Sequence, residues 1–299
     1  MDLVICNTPF QILQVQNLVE KGIIGNFELF YFCSRKTEQI DYYFKLLKDS
    51  ANKATLYVSD KKFPYHILNM RKIFKGKRYQ NIYSASVDSV YTHSILSFTE
   101  FSDFYSFDDG SANLIDTSCY YIDQRNNFKK ILFKLFGCHY DLKKTKSSIK
   151  NHFTIYKSLK NITSNTIEVD FEFSSINSAG SNINNKPEAN VLLGTVFDEM
   201  TLSREDKQEL IKKISFFIKD KNFYYIPHPR DFTHYFDGVK YIDGLEIAES
   251  KILYLLSEYE CVNLYGFNSS VQINLRFEQG VKVYYIKNSL SDLVIDSHG

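Results

Sequence analysis

Two hydrophobic periodicities exchange regularly along the first half of this chain, and that exchange restricts its fold more than any other feature. Apolar runs of strand length ("DLVICN", "FELFYFCS", "KATLYVSD", "YQNIYSAS" and "DFYSFDDG") alternate with amphipathic stretches. The latter include "PFQILQVQNLVEKG", with Pro near its start and Gly at its end, "KTEQIDYYFKLLKDSAN" and "FPYHILNMRKIFKG". Such a βα rhythm predicts a parallel sheet with helices on both faces.

The rhythm breaks at "SSINSAGSNINNKPEAN", residues 174–190, where small polar residues with Gly and Pro mark a connection. It then resumes with "NVLLGT", the helical "SREDKQELIKKISFFIKD", "NFYYIPHPRD", the helical "EIAESKILYLLSEYE", "CVNLYGFNSS", the helical "SSVQINLRFEQG" and "VKVYYIKN". At 299 residues the chain accommodates two domains. The expectation is an α/β protein with Rossmann-like domains over 1–173 and 191–299, facing each other across a cleft.

Composition narrows the partners. A formal net charge of +1 supplies no field that would draw the chain to nucleic acid. The five cysteines lie far apart with no CxxC pair, so free thiols in a reducing compartment are expected, with no disulfide framework or structural zinc. "MDLVICNTPFQILQ" lacks the basic n-region of a signal peptide, and its apolar run stops at Asn7. A cytoplasmic protein is expected. The Lys-rich "RKIFKGKRYQ" offers a peripheral contact with the inner membrane surface, although such runs are usually solvated faces.

The informative polar residues cluster where strands end. Asn7 and Thr8 follow the first strand, Asp108 and Asp109 the fifth, and Gly194, Thr195 and Asp198 the first strand of the second half. His228 follows "FYYI", and Ser269 and Ser270 follow "VNLYGF". In parallel α/β sheets ligands bind outside the carboxyl ends of the strands. Asp-Gly is a common turn pair, so the acidic pair has a bland reading as a turn and a sharp one as a catalytic carboxylate. Neighbouring side chains on extended backbone point opposite ways, so one of the two, Asp109 by preference, faces the cleft. His228 lies between two prolines, which restrict where the imidazole points. Ser269 and Ser270 open a helix, where capping and anion binding weigh equally. Asp198 reads as a helix-start acid or a second catalytic carboxylate, and Glu249 as a solvated helix residue or a ribose ligand. Neither a GxGxxG nor a P-loop occurs.

Several of these segments together resemble one known family. "FCSRKTEQIDYYFKLLKD", "NIYSASVDSV", "FDDGSANLI", "HFTIYKSLKNI", "LLGTVFDEM" and "PHPRD", spread over most of the chain, are similar to the bacterial sialyltransferases of glycosyltransferase family 52. These enzymes build sialylated lipooligosaccharide and capsule. The resemblance implies a GT-B fold, the donor CMP-sialic acid and a galactose-terminated glycan acceptor. It implies that His228 and Pro229 contact the CMP phosphate, that Ser269 and Ser270 form the phosphate-binding loop, and that Glu249 meets the cytidine ribose. Gly194 and Thr195 join this donor-side set. The family's "GSPDKEM"-like segment carries an acid proposed as base. Here the segment reads "GTVFDEM", with Phe197 opposite that acid and Asp198 one place later. Family members suggest an α2,3 linkage and a dimer, neither of which follows from residues of this chain.

The implied reaction inverts the anomeric carbon without a metal or other cofactor, with one carboxylate as base and His228 stabilising the departing phosphate. Two other readings stay open. One is a different nucleotide-sugar glycosyltransferase in which the Asp pair holds Mg²⁺ or Mn²⁺. The other is a non-catalytic sugar- or nucleotide-binding subunit.

Overall fold

Apolar strands separated by amphipathic helices bury their surface when the strands form a sheet covered on both faces. The computed structural model contains two such sheets. It describes residues 1–110, 112–123, 125–171, 187–231, 233–288 and 293–297. These fall into two compact units, Met1–Glu172 and Phe173–Gly299.

The first unit begins β1 (Asp2–Cys6), α1 (Pro9–Glu20), β2 (Phe27–Cys33), α2 (Glu38–Lys48), β3 (Lys53–Val58) and α3 (Tyr65–Phe74). It continues with β4 (Arg78–Ser84), α4 (Val90–Phe98), β5 (Glu100–Phe107), α5 (Asn127–Leu135), α6 (Leu142–Ser147), β6 (Ile149–Thr154) and β7 (Thr166–Glu168). Its seven strands run in the order β3-β2-β1-β4-β5-β6-β7, and every pairing is parallel. Val4 lies opposite Leu29 on one side and Tyr83 on the other. The chain winds outward from β1 to β3 and then returns to β4, so the direction of winding reverses between β1 and β4.

Local chemistry explains the elements. Six of the seven residues of β2 are buried, as a strand covered on both faces requires. α2 buries Tyr43, Phe44 and Leu47 and carries Lys45 and Lys48 in its last turn, where cations complement the helix dipole. Thr8, Thr37 and Ser89 each cap a helix by accepting a backbone N–H. Leu3, Ile5, Phe30, Ile82 and Phe104 meet in one core between sheet and helices.

The second unit comprises β8 (Glu188–Leu193), α7 (Phe197–Met200), α8 (Arg204–Ile218), β9 (Phe223–Ile226), β10 (Lys240–Tyr241), α9 (Ala248–Glu258) and β11 (Cys261–Gly266). α10 (Ser270–Leu275), β12 (Val281–Asn288) and β13 (Leu293–Asp296) complete it. The strand order is β10-β9-β8-β11-β12-β13, parallel except for the antiparallel β12–β13 pair. Val191, Ile252, Leu264 and Leu275 pack on one face, and Leu192, Leu210, Ile214 and Tyr225 on the other. Winding reverses here between β8 and β11.

The α/β class holds, with additions. β6 and β7 widen the first sheet beyond the five expected strands, since "IKNHFT" mixes Lys, Asn and His into its apolar residues and the three residues of β7 are exposed. "VKVYYIKN" does not close the second sheet, because β13 pairs outside it. The helix expected over "SSVQINLRFEQG" lasts only six residues, its end fixed by turns from Glu278 to Leu275 and from Val281 to Glu278. Of the connection expected over 174–190, residues 174–186 lie outside the described residues, and Glu188–Asn190 already belong to β8.

One glycine has a steric reason. Gly194 follows β8 and donates its N–H to Ile226 O at 2.8 Å. A Cβ there would lie 2.7 Å from both His228 N and the Tyr225 hydroxyl. Gly194→Ala must therefore displace the end of β9, and we expect a loss of about 1–3 kcal/mol, read as a lowered urea midpoint at unchanged m-value.

Candidate active site

The first unit gathers its polar groups at the carboxyl ends of β1, β4 and β5. Asn7 leaves β1, Thr8 caps α1 by accepting Gln11 N–H at 3.3 Å, and Pro9 occupies the first turn, where its missing N–H costs nothing. Gln11 then reaches in three directions. Its Oε1 accepts Asn7 N–H at 2.8 Å, while its Nε2 donates to Ser86 Oγ at 3.1 Å and to Asp109 Oδ1 at 2.8 Å. Ser86 donates in turn to Asn7 Oδ1 at 2.8 Å. Asn7, Thr8 and Asp109 are thus joined through Gln11.

The two adjacent acids have opposite environments. Asp108 is completely buried. Its Oδ1 accepts from His152 Nε2 at 2.9 Å and from Asn161 Nδ2 at 3.1 Å, and its Oδ2 from Ile155 N–H at 2.8 Å. His152 is fixed from its other side by Ser106 Oγ, 2.7 Å from Nδ1. Every donor to the Asp108 carboxylate lies in β6 or the loop after it, so this carboxylate ties β6 to the end of β5. Asp108, weighed above as a catalytic carboxylate, is sealed here and engaged through both oxygens.

Asp109 is only partly buried. Its N–H donates to Asn113 Oδ1 at 2.9 Å, and Gly110 follows with φ 60°, a left-handed conformation that glycine adopts without strain. The chain then turns through Ala112–Leu114 and brings Tyr120 back to donate its hydroxyl to Asp109 Oδ2. Burial raises the Asp109 pKa above the usual carboxylate range. The Tyr120 and Gln11 hydrogen bonds oppose that rise, and the nearby Asp88 and Asp108 charges add to it. Tyr120 is pushed well above its ordinary value, by burial first and by Asp109 next, so the shared proton stays on its phenol oxygen. The result is a carboxylate of enhanced basicity held by two donors. The two Asp side chains bind separate partner sets. Among the described residues no group of three or more His, Cys, Asp or Glu forms a metal site.

In the second unit the "PHP" segment leaves β9. Asp231 N–H returns to His228 O at 2.9 Å, and Arg230 N–H donates to His228 Nδ1 at 3.1 Å. With Nδ1 accepting, the neutral ring carries its proton on Nε2, a free donor among the described residues. Burial and the Arg230 charge lower the His228 pKa, which favours this neutral form. The Arg230 guanidinium is held bidentately by Glu199, at 2.7 and 2.9 Å. Gly194 packs against the His228 backbone, and Thr195 follows it at the same strand end.

Ser269 is an N-cap. It accepts Gln272 N–H at 3.4 Å while Gln272 Oε1 accepts Ser269 N–H at 2.9 Å, so the capping reading is realised. Ser270 is exposed beside it. Pro229 is the second residue of the turn that the Asp231 N–H closes onto His228 O, a position for which its fixed φ suits it. Glu249, read from sequence as a solvated helix residue or a ribose ligand, is buried. It accepts from Asn274 Nδ2 at 2.8 Å, and burial raises its pKa. Asp198 points outward, 73% exposed and paired with Lys207 at 2.8 Å, while Phe197 before it is buried. Its carboxylate, weighed above as a second catalytic group, meets solvent and Lys207 within this unit.

Sequence reading missed Gln11 and Tyr120. The spacing of Thr8 and Gln11, a capping-box pattern, is a signal for Gln11. Tyr120 has none, since its place depends on how the loop after Asp109 returns.

The profile of glycosyltransferase family 52 matches residues 26–290. A CMP-N-acetylneuraminate:beta-galactoside alpha-2,3-sialyltransferase of Pasteurella multocida is 27% identical over 92% of this chain and 87% of its own length. An N-acetyllactosaminide alpha-2,3-sialyltransferase of Haemophilus influenzae is 27% identical over 97% of this chain and 93% of its own length. Among solved structures, a UDP-GlcNAc 2-epimerase of Methanocaldococcus jannaschii superposes with a TM-score of 0.52 at 13% identity, covering 92% of this chain and 81% of that one. That likeness concerns the fold alone, a GT-B-type pair of parallel α/β units. The chain belongs to glycosyltransferase family 52 and is a glycosyltransferase.

Proposed function

We propose that this chain is an inverting sialyltransferase that moves sialic acid from CMP-sialic acid to a galactose hydroxyl of a bacterial surface glycan, in an α2,3 linkage. The observation that supports the reading is the contrast between the adjacent acids: Asp108 is sealed by His152, Asn161 and the Ile155 N–H, whereas Asp109 is only partly buried and is held by Gln11 and Tyr120. The names of the relatives supply the sugar, the donor and the linkage.

Each group has one role. The acceptor hydroxyl oxygen attacks the anomeric carbon of the sialyl group from the face opposite CMP. Its proton passes to Asp109, and the bond from the anomeric carbon to the phosphate oxygen breaks with its electron pair leaving on CMP. His228, neutral at Nδ1, donates its Nε2–H to that phosphate oxygen as charge develops. Thr195 and Ser270 add hydroxyl donors on the phosphate side, and Glu249 meets the ribose. Gln11 and Tyr120 are positioning residues that orient the Asp109 oxygens.

The direct test is to incubate the protein with CMP-sialic acid and N-acetyllactosamine and to analyse products by mass spectrometry and NMR. An α2,3-sialylated product is expected. Release of CMP without transfer, or no turnover with CMP-sialic acid, would eliminate the reading. Asp109→Ala is expected to lower kcat by roughly 10²–10⁴-fold, with Asp198→Ala staying within about threefold of wild type. Equal losses in the two variants would argue against Asp109 as base.

The acid limb of kcat/KM gives a second, signed expectation. It should lie above the usual Asp range, because Asp109 must be deprotonated to accept the acceptor proton and burial raises its pKa. Tyr120→Phe removes a hydrogen bond that stabilises the carboxylate. The limb should therefore move to still higher pH, leaving the high-pH plateau closer to wild type. A limb unmoved by Tyr120→Phe would detach it from Asp109.

A further inference from the structure

The turn that follows β4 holds a third acid beside the candidate site of the first unit. It lies where the winding of the sheet reverses between β1 and β4, the place where open α/β sheets bind ligands. Ser86 meets Asn7 and Gln11 there. Asp88, two residues on, is partly exposed. Its backbone is fixed on both sides. Ser89 N–H donates to Ser86 O at 3.2 Å, and the Ser89 hydroxyl caps α4 by accepting Tyr91 N–H. Val87 O accepts from His93 Nε2 at 2.8 Å, while His93 Nδ1 accepts from the Arg125 guanidinium at 3.0 Å. Burial and the Arg125 charge lower the His93 pKa to about 4, which keeps that neutral form at physiological pH.

Two routes tie this turn to Asp109. Ser86 reaches it through Gln11, and the Asp88 carboxylate accepts from the Cys119 thiol, next to the Tyr120 that donates to Asp109. The Cys119 pKa is pushed up to about 12, by burial first and by the Asp88 charge next, so the thiol keeps its proton. A thiol is nonetheless a weak donor. Among the described residues no Lys or Arg pairs with Asp88. A partly open carboxylate with one weak donor retains acceptor capacity for groups that arrive with a ligand. On a sugar those groups are neutral hydroxyls, set side by side on the ring. With Asp109 taking the proton of one, Asp88 is placed to receive its neighbour.

We propose that Asp88 is an acceptor-binding residue: it accepts a hydrogen bond from the galactose hydroxyl beside the one that attacks, and so selects which hydroxyl meets Asp109. The inference deepens the sialyl-transfer reading and rests on it. Removal of Asp88 carries a second consequence, because its charge adds to the rise in the Asp109 pKa.

Initial rates with CMP-sialic acid and N-acetyllactosamine, beside acceptors lacking the galactose 2- or 4-hydroxyl, test the proposal. Asp88→Ala should raise the acceptor KM about tenfold or more, because a hydrogen bond to a charged group is lost, while the KM for CMP-sialic acid stays in place. Deleting one of the two hydroxyls should cost the wild type a similar factor in kcat/KM and cost Asp88→Ala almost nothing further, as a shared contact requires. Asp88→Asn, which keeps the shape and removes the charge, should move the acid limb of kcat/KM to lower pH. It also carries the KM comparison if Asp88→Ala melts early. An acceptor KM unmoved in a folded variant, with or without a shifted limb, would overturn the proposal, as would hydroxyl deletions that cost both proteins equally. Loss of transfer on treatment with EDTA would overturn it too, assigning Asp88 and Asp109 to a cation. Absence of transfer by the wild type would remove the sialyl-transfer reading itself, whereas intact transfer with an unmoved acceptor KM removes this inference alone.

Discussion

The burial of one carboxylate organises the candidate site of the first unit. Asp108 has lost all contact with water, and among the described residues no Lys or Arg pairs with it. A buried carboxylate in that position is tolerable only if its oxygens are fully hydrogen-bonded. His152, Asn161 and the Ile155 N–H supply those bonds, and all three come from β6 and the loop that follows. Satisfying Asp108 therefore fixes the sixth strand against the fifth. Because successive side chains diverge, it also fixes Asp109 in the opposite direction. The pair is one sealed carboxylate and one partly open carboxylate made from the same residue type.

The second unit solves a similar positioning problem without a buried charge. The backbone after β8 must pass close to the backbone after β9, and Gly194 permits that approach. Pro227 and Pro229 restrict the main chain around His228, and the Arg230 N–H fixes which ring nitrogen can donate. Arg230 itself is spent on Glu199. It lowers the His228 pKa through its field while leaving the imidazole the free donor at the strand end. Backbone geometry here does the work that hydrogen bonds to Asp108 do in the first unit.

Much of this arrangement was legible in the residues. The βα rhythm specified the sheet type because core strands buried on both faces must be apolar throughout, as β2 is. Strand ends were legible because polar residues follow directly, which placed Asn7, Asp109 and His228. Edges were harder: β7 and β10 have three and two residues, too few for a periodicity to register. The surroundings of Asp108 and Asp198 were not readable, since burial of the one depends on His152 and Asn161 far along the chain. The other is exposed because Phe197 takes the inward place. Long-range return of Tyr120 has the same character. Its partner is set by a loop path that neither propensity nor spacing encodes.

The chemistry expected of Asp109 turns on a balance that neither burial nor hydrogen bonding could set alone. Burial without donors would leave a carboxylic acid protonated at neutral pH, unable to accept a proton. Donors without burial would leave an ordinary carboxylate, ionised but a poor base for a sugar hydroxyl. At Asp109 burial raises the pKa, and the two donors, Tyr120 and Gln11, oppose that rise. Tyr120 acts on one side of that balance, its hydroxyl stabilising the anion. A base of this kind can stay ionised at neutral pH and still be strengthened for the moment when the acceptor oxygen begins to bond.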